Sequence, residues 1–193
     1  LLVTEMVTAE AILHAGVGRF CEHDAREHPL ALQLGGAEPH RLAAAVRAVE
    51  PFSFDEINLN VGCPSPRVQS GRFGACLMAE PELVADLVGA MRTQTDRPVT
   101  VKCRIGIDDM DPQTGLDRFV DAVADAGAQV IYLHARKAWL NGLSPKENRE
   151  IPPLDYGRAE RLARRRPDLD IILNGGLTDR DMTSAMLQPV GQI

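Results

Sequence analysis

The sequence is 193 residues long, with 45% hydrophobic residues, 25% charged residues and a formal net charge of −6. A chain of this length buries a core of its own, so we expect one globular domain. No apolar run approaches the ~18 residues of a membrane span, so no membrane partner is expected. The acidic balance gives no general sign of nucleic-acid binding, and contact with RNA would require a local basic patch.

The four cysteines are scattered along the chain, at Cys21, Cys63, Cys76 and Cys103, and none forms a Cys-x-x-Cys pair. This spacing does not suit a zinc site, so we expect no bound metal. The first residues are apolar but lack the basic start and the cleavage site of a signal peptide. Because nothing indicates secretion, we expect a reducing, cytoplasmic location without disulfides.

Apolar, β-branched segments alternate with amphipathic segments along the whole chain. The predicted strands cover residues 1–6, 30–34, 56–61, 99–105, 130–134 and 171–174. The predicted helices cover residues 40–49, 82–94, 116–126, 156–165 and 179–187. This alternation predicts an α/β fold with a parallel sheet covered by helices. No Gly-x-Gly-x-x-Gly follows the first strands, which disfavours a doubly wound dinucleotide-binding fold.

Polar side chains stand near the carboxyl ends of the predicted strands. They are Gln33, Asn60, Lys102, Arg104, His134, Arg136 and Asn174. In a (β/α)8 TIM barrel these ends form the rim of the active site. Six strands are predicted where such a barrel has eight, and its usual length is ~250 residues. The sequence therefore predicts an incomplete TIM barrel with about six of the eight βα units.

Residues 58–64 (NLNVGCP) place Cys63 on a loop directly after a strand. A single cysteine in this position is either a small buried apolar residue or a positioned thiol. A positioned thiol acts as a nucleophile or as a proton donor, and the predominantly protonated thiol at neutral pH suits the second role. The other three cysteines have no comparable setting, and we interpret them as packing residues.

Lys102 lies within an apolar strand, where an idle lysine is not expected. It either binds an anion, acts as an amine nucleophile or extends its ammonium group to the rim. His134 ends another apolar strand, and it is either a hydrogen-bonded core residue or part of the same rim.

The glycine pairs after two of the strands have two interpretations. The turn Asn174-Gly175-Gly176 either brings main-chain N–H groups to a phosphate at a helix N-terminus or is a plain turn. Gln33-Leu34-Gly35-Gly36 has the same ambiguity.

Residues 134–150 form a long polar loop with four cations and one aromatic residue, Trp139. This composition suits phosphates and a stacked base, but the charges could instead pair with Glu147 and Glu150 in a solvated loop. Arg158, Arg161 and residues 164–166 continue the basic character along the next helix, where we favour a solvated helix face.

Five segments together resemble one family, the tRNA-dihydrouridine synthases of the A-type. They are residues 58–65 (NLNVGCPS), 73–78 (FGACLM), 101–109 (VKCRIGIDD), 134–139 (HARKAW) and 143–156 (LSPKENREIPPLDY). The similarity extends from Thr4 to about Gly176. It implies an FMN-binding TIM-barrel catalytic domain over residues 1–193, with NADPH as reductant and a tRNA substrate. It further implies reduction of a uridine in the D-loop, at positions 20 and 20a, to 5,6-dihydrouridine.

The resemblance also assigns roles to individual residues. It implies that a hydride reaches C6 of the uridine from reduced FMN and that Cys63 gives a proton to C5. Flavin contacts are implied for Gln33, Lys102, His134, Asn174, Gly175 and Gly176. Contacts to tRNA are implied for Asn60, Lys146 and Arg149.

Members of that family begin with a further strand and continue to an eighth strand and a helical tRNA-binding domain. Neither part has a counterpart here, so the sequence is expected to be a fragment without them. The alternatives are another FMN-dependent TIM-barrel enzyme of the dihydropyrimidine or dihydroorotate dehydrogenase type, an inactive RNA-binding remnant, and a Schiff-base lyase using Lys102.

Overall fold

The computed structural model describes residues 1–178 and shows one sheet in which all strand pairs are parallel. The strands are β1 (Leu2–Val3), β2 (Val7–Thr8), β3 (Leu30–Gly35), β4 (Glu56–Val61), β5 (Val99–Arg104), β6 (Val130–His134) and β7 (Asp170–Asn174). From β3 to β7, each strand pairs with the next one in the sequence, while β1 and β2 both pair with β3. These strands occupy six neighbouring positions of a curled sheet, as expected for part of a (β/α)8 barrel.

Helices follow most of the strands. They are α1 (Ala9–Ala15), α2 (Gly18–Cys21), α3 (Pro39–Val49), α4 (Pro66–Ser70), α5 (Pro81–Arg92), α6 (Thr114–Asp125), α7 (Glu147–Glu150) and α8 (Tyr156–Arg165). Short 3-10 helices cover Ala25–Glu27, Glu50–Phe52 and Gly74–Ala79. Neighbouring long helices contact one another, in the pairs α1–α3, α3–α5 and α5–α6, so they form a layer over the sheet.

The register of the strands separates an apolar face from a polar face. One row across the sheet consists of Leu34, Leu59, Val101, Ile131 and Ile171. The first four of these side chains are fully buried in the core shared with the helices. Because side chains alternate between the two faces of a strand, the intervening residues point to the concave side. Two of the concave rows are polar at most positions: Asn60, Lys102, Tyr132 and Ile172, then Arg104, His134 and Asn174.

The predicted strand over residues 1–6 is wrong in its bounds. β1 pairs Leu2 with Leu30, whereas β2 pairs Val7 with Leu34, so the first strand contains one more residue than its partner. A bulge of this kind interrupts the ladder. Thr4 bridges the interruption, because its N–H donates to Ala31 O at 3.0 Å and its hydroxyl accepts from the N–H of Gln33 at 3.0 Å.

The other predicted strands are confirmed to within one residue, and four of the predicted helices to within two. Prolines at the first position of α3 and α5 account for two of the differences, because proline fits the first turn of a helix. The short helices α1, α2, α4 and α7 were not predicted. The predicted helix over residues 179–187 lies outside the described residues. Within residues 1–178, no helix has the length and apolar content needed to cross a membrane.

Candidate active site

The loop after β4 holds Cys63 in a fixed backbone position. The side-chain oxygen of Asn60 accepts from the N–H groups of Gly62 and Cys63, at 3.1 and 3.0 Å. The carbonyl of Cys63 accepts from the N–H of Ala75 at 2.9 Å. Gly74 has a φ of 76°, and a Cβ on it would lie 2.6 Å from that carbonyl, so only glycine fits here. Cys63 is half-buried at the polar face of the sheet.

The other cysteines occupy different surroundings, as their interpretation as packing residues requires. Cys21 and Cys103 are buried, and burial raises the pKa of these thiols to about 11 and about 12. The thiol of Cys76 donates to the carbonyl of Phe73 at 3.2 Å, and burial raises its pKa.

Two cations lie at the carboxyl end of β5, beside the Cys63 loop. Lys102 is half-buried, and burial lowers the pKa of its ammonium group, with the charge of Arg104 as the second cause. Within residues 1–178, the Lys102 ammonium has no hydrogen bond and no ion pair. Arg104 is 4% exposed, and burial lowers the pKa of its guanidinium to about 10. No described carboxylate pairs with it, so this end of the sheet has an excess of positive charge.

Arg104 links the Cys63 loop to the loop after β6. Its Nε donates to the carbonyl of Gly62 at 3.2 Å, and one Nη donates to the carbonyl of Asn148 at 2.8 Å. The sequence placed Arg104 at the rim but gave it no role. Its place in an apolar strand could have indicated a role. A buried arginine without a carboxylate partner must satisfy its N–H groups with main-chain oxygens or a ligand.

His134 is 8% exposed, and burial lowers the pKa of its imidazole to about 3, helped by the charges of Arg104 and Lys102. The ring is therefore neutral at neutral pH. It packs against Gly175, where a Cβ would lie 2.3 Å from the ring. The phenol of Tyr156 donates to the carbonyl of Gly175 at 2.9 Å and lies 2.7 Å from a Cβ built on Gly176.

Both glycines of this turn have positive φ values, 99° for Gly175 and 72° for Gly176. The pair is thus required for close packing within the protein as well as for the turn itself. Asn174 is exposed at the end of β7, and its carbonyl accepts from the N–H of Ala135 at 3.0 Å. The helix predicted to follow the turn lies outside the described residues.

Asn148 organises the loop after β6, and sequence reasoning gave it no role. It is fully buried, its side-chain oxygen accepts from the N–H of Trp139 at 2.7 Å, and its amino group donates to the carbonyl of Trp139 at 2.9 Å. Two further contacts of this amino group, at 3.3 Å each, reach the carbonyls of Leu143 and Ser144. One buried amide therefore gives a defined shape to a loop that the sequence presents only as polar.

The predicted cations of this loop remain at its surface. Lys146 and Arg149 are exposed, and neither side chain has a hydrogen bond or ion pair to any of residues 1–178. Pairing with Glu147 does not occur, because this carboxylate accepts from the main-chain N–H of Ser144 at 2.8 Å. Trp139 is 40% exposed, and the ammonium of Lys137 lies 5.9 Å from the centre of its ring.

The solvated face predicted for α8 is wrong at Arg158. This side chain is 1% exposed, forms an ion pair with Asp117, and donates to the carbonyls of Pro112 and Gln113 at 2.6 and 2.9 Å. Its position on the buried side of the helix, in line with Ala159 and Leu162, turns it toward α6. Arg165 and Arg166 pair with Asp121, whereas Arg161, Arg164 and Arg165 are exposed, as a solvated helix face predicts.

The concave face also buries polar side chains below the rim. Gln33 and Asn60 are each 8% exposed, and the amide of Asn60 donates to the side-chain oxygen of Gln33 at 2.7 Å. Glu56 is likewise 8% exposed, although the sequence gave this buried carboxylate no role. The sequence could have indicated a role for Glu56, because polar residues alternate along this strand at Glu56, Asn58 and Asn60.

Comparison with known proteins decides the family. Residues 1–193 match the family model described as dihydrouridine synthase. The chain belongs to the dihydrouridine synthase family. The predicted family is thereby confirmed, as is the incomplete (β/α)8 barrel, because the curled parallel sheet has the architecture of this family's barrel.

Curated relatives in this family carry the name tRNA-dihydrouridine(20/20a) synthase. The Xanthomonas campestris protein is 56% identical over 187 residues, which cover 97% of this chain and 56% of the relative. The Shewanella oneidensis protein is 57% identical over 188 residues, with 97% and 56% covered. The Vibrio parahaemolyticus protein is 57% identical over 189 residues, with 97% and 58% covered. This dihydrouridine synthase chain thus spans just over half the length of these relatives.

The rim of the sheet in this family member brings several kinds of polar side chain together. Among residues 1–178, there is no group of three or more His, Cys, Asp or Glu side chains arranged to hold a metal ion. The rim instead combines a thiol, two cations and a neutral imidazole. This set can bind an anionic ligand, form directed hydrogen bonds and transfer a proton.

Proposed function

We propose that the protein reduces uridine to 5,6-dihydrouridine in the D-loop of tRNA, at positions 20 and 20a. The observation that carries this proposal is the set of main-chain hydrogen bonds that fixes the loop of Cys63. They hold a thiol beside two cations that have no carboxylate partner among the described residues, at the carboxyl ends of the strands. The shared name of the curated relatives supplies the substrate and the positions. Residues 1–193 would form the FMN-binding part of the barrel.

The rim fits FMN as the cofactor. Lys102 lacks a partner among the described residues and Arg104 lacks a carboxylate, so an anionic group would stabilise both cations. Neutral His134 can donate one hydrogen bond and accept another. We assign FMN contacts to Gln33, Lys102, His134 and the turn Asn174-Gly175-Gly176. Reduced FMN would supply a hydride for C6 of the uracil ring, with NADPH as the reductant.

Cys63 holds the proton that C5 of the uracil takes up. Its backbone is fixed by Asn60 and Ala75, so a base that enters the site meets the thiol in one position. A proton donor fixed in this way lowers the cost of orienting the reacting groups.

The loop after β6 would bind tRNA. Lys146 and Arg149 are exposed cations without intramolecular partners among residues 1–178, which suits phosphate contacts. The half-exposed ring of Trp139 offers a surface on which a base can stack once it leaves its helix. Asn60 remains a proposed tRNA contact, and its interior bonds leave only 8% of the residue accessible for this purpose.

The direct test supplies FMN, NADPH and an unmodified tRNA transcript to the protein that carries this chain, and measures dihydrouridine by mass spectrometry of the digested RNA. We expect dihydrouridine in the wild-type transcript and none when the uridines at positions 20 and 20a are replaced by cytidine. Reduction of free uracil or oxidation of dihydroorotate, without any change in tRNA, would contradict the proposal and favour another flavin barrel. Binding of tRNA by a protein that takes up no flavin would favour an RNA-binding remnant instead.

A further inference from the structure

A chain of hydrogen bonds runs inside the sheet from the Cys63 loop to a buried carboxylate at the opposite end of β4. Its members are Cys63, Asn60, Gln33, Asn58, Thr100 and Glu56, and Tyr132 contacts Glu56 from the side. The side-chain links are Asn60 to Gln33 (2.7 Å), Gln33 to Asn58 (2.9 Å), Asn58 to Thr100 (2.8 Å), Thr100 to Glu56 (2.5 Å) and Tyr132 to Glu56 (3.0 Å). At about 3.3 Å per residue, Glu56 lies about 13 Å along the strand from Asn60.

The two ends of this chain impose one direction on every link. Main-chain N–H groups at Gly62 and Cys63 can only donate, so Asn60 must present its oxygen to them and its amino group inward. At the other end, the hydroxyl of Thr100 donates to the side-chain oxygen of Glu56. The hydroxyl oxygen is then free to accept from Asn58.

The orientations of the interior amides follow from the groups at these two ends. Asn58 donates to Thr100 and accepts from Gln33, and Gln33 accepts from Asn60. An amide whose neighbours did not impose a direction could rotate by a half-turn and exchange its donor and acceptor. We propose that Glu56 is a positioning residue that holds the Gln33 and Asn60 amides in the orientation that the N–H groups of Gly62 and Cys63 require, and through Asn60 holds the position of the Cys63 loop. The effect on catalysis rests on the function proposed above, whereas the effect on the loop does not.

This chain of hydrogen bonds positions side chains and does not carry protons to the reaction. It passes through amide groups and ends at main-chain N–H groups, and the sulfur of Cys63 is not one of its links. Burial raises the pKa of Tyr132, with the charge of Glu56 as the second cause, so its phenol remains a donor to the carboxylate. Tyr132 contacts Glu56 from the side and is not part of the path to Cys63.

Three variants separate positioning from a general structural role. Glu56→Gln keeps the shape but lets the new amide present either an oxygen or an amino group to Thr100. Thr100→Val removes the link between Glu56 and Asn58 with little change in shape. Tyr132→Phe is the matched control, because it removes a hydrogen bond to the same carboxylate but leaves the path intact.

Three quantities are measured for each variant: hydrogen exchange at the amides of Gly62 and Cys63, alkylation of Cys63 by iodoacetamide, and the kinetics of tRNA reduction. Urea unfolding gives the stability of each variant. In Glu56→Gln and Thr100→Val we expect exchange and alkylation to accelerate about threefold to tenfold, which corresponds to the loss of about one hydrogen bond. The turnover number should fall by a similar factor. Tyr132→Phe should leave exchange, alkylation and turnover within about twofold of wild type.

The exchange measurement decides the proposal whether or not the protein reduces tRNA. Unchanged exchange at Gly62 and Cys63 in folded Glu56→Gln and Thr100→Val proteins would overturn it. An equal acceleration in Tyr132→Phe would overturn it as well, since it would show a general loosening. Absence of dihydrouridine in the wild type would count against the proposed function alone.

Discussion

The guanidinium of Arg104 donates to the main-chain carbonyl of Asn148 across 2.8 Å, which joins the end of β5 to the loop that carries the exposed cations Lys146 and Arg149. The same guanidinium donates to the carbonyl of Gly62, next to Cys63. A single buried side chain therefore contacts both the proposed proton-donor loop and the proposed tRNA loop. A change in the shape of one loop is expected to reach the other through this contact.

Replacing Asn148 with alanine should unfold the loop after β6. The variant leaves the N–H of Trp139 without its acceptor and the carbonyls of Trp139 and Leu143 without a donor, so the free energy of unfolding should fall by about 2–3 kcal/mol. Urea unfolding and limited trypsin digestion test this, with cleavage expected after Lys146 and Arg149. Asn141→Ala, an exposed residue of the same loop, is the control. Equal stability and equal cleavage in the two variants would show that Asn148 is not what shapes the loop.

Removing the charges of Lys146 and Arg149 together should weaken tRNA binding. It should also make the affinity for tRNA less dependent on salt concentration. If both contact phosphates, the slope of log affinity against log salt concentration should decrease by about two. Filter binding at several salt concentrations gives this slope, and flavin content should be unchanged. The control Arg118→Ala/Arg164→Ala removes two exposed cations of α6 and α8, which pair with Glu82 and Glu160. If both double variants had the same slope, the loop would have no special part in tRNA binding.

His134 should make stability depend on pH below neutrality. In the unfolded chain the imidazole takes up a proton below about pH 6.5, but in the folded protein only below about pH 3. Between these values the unfolded state binds more protons, so stability falls as the pH falls through this range. At about 1.4 kcal/mol per pKa unit, the loss over the whole range is on the order of 5 kcal/mol.

Urea unfolding of His134→Gln and of wild type between pH 7 and pH 4 measures this contribution. The variant should lose less stability on acidification than the wild type. His40→Gln, which replaces an exposed histidine of α3, should follow the wild-type curve. Parallel curves for wild type and His134→Gln would contradict the buried, neutral state of this imidazole.

The strands were predictable because their apolar periodicity is set by burial within a parallel sheet. Residues 56–61 and 130–134 were predicted with the bounds that the structure has. The interruption of the first strand was not predictable, because it depends on the register between β1, β2 and β3 and on a hydrogen bond from Gln33 to Thr4. Short helices such as α4 and α7 have too few turns to produce a helical periodicity.

The position of the candidate residues Cys63, Lys102 and His134 at the carboxyl ends of strands was predictable, because each interrupts or follows an apolar strand end. The supporting residues were not, because their importance lies in contacts between distant parts of the chain. Asn148 resembles any loop asparagine until its bonds to Trp139 are seen. Arg158 is one arginine among several in a basic helix, and only the packing of α8 against α6 shows that it is buried.

The most direct test of the proposed reaction is the amount of dihydrouridine that Cys63→Ala protein forms in tRNA, with FMN and NADPH present. Cys76→Ala, which removes a half-buried thiol outside the strand ends, is the matched control and should retain activity. We expect no dihydrouridine from Cys63→Ala, while NADPH still reduces the flavin, because only the proton for C5 is missing. Dihydrouridine formed by Cys63→Ala at the wild-type rate would contradict the assignment of Cys63 as the proton donor.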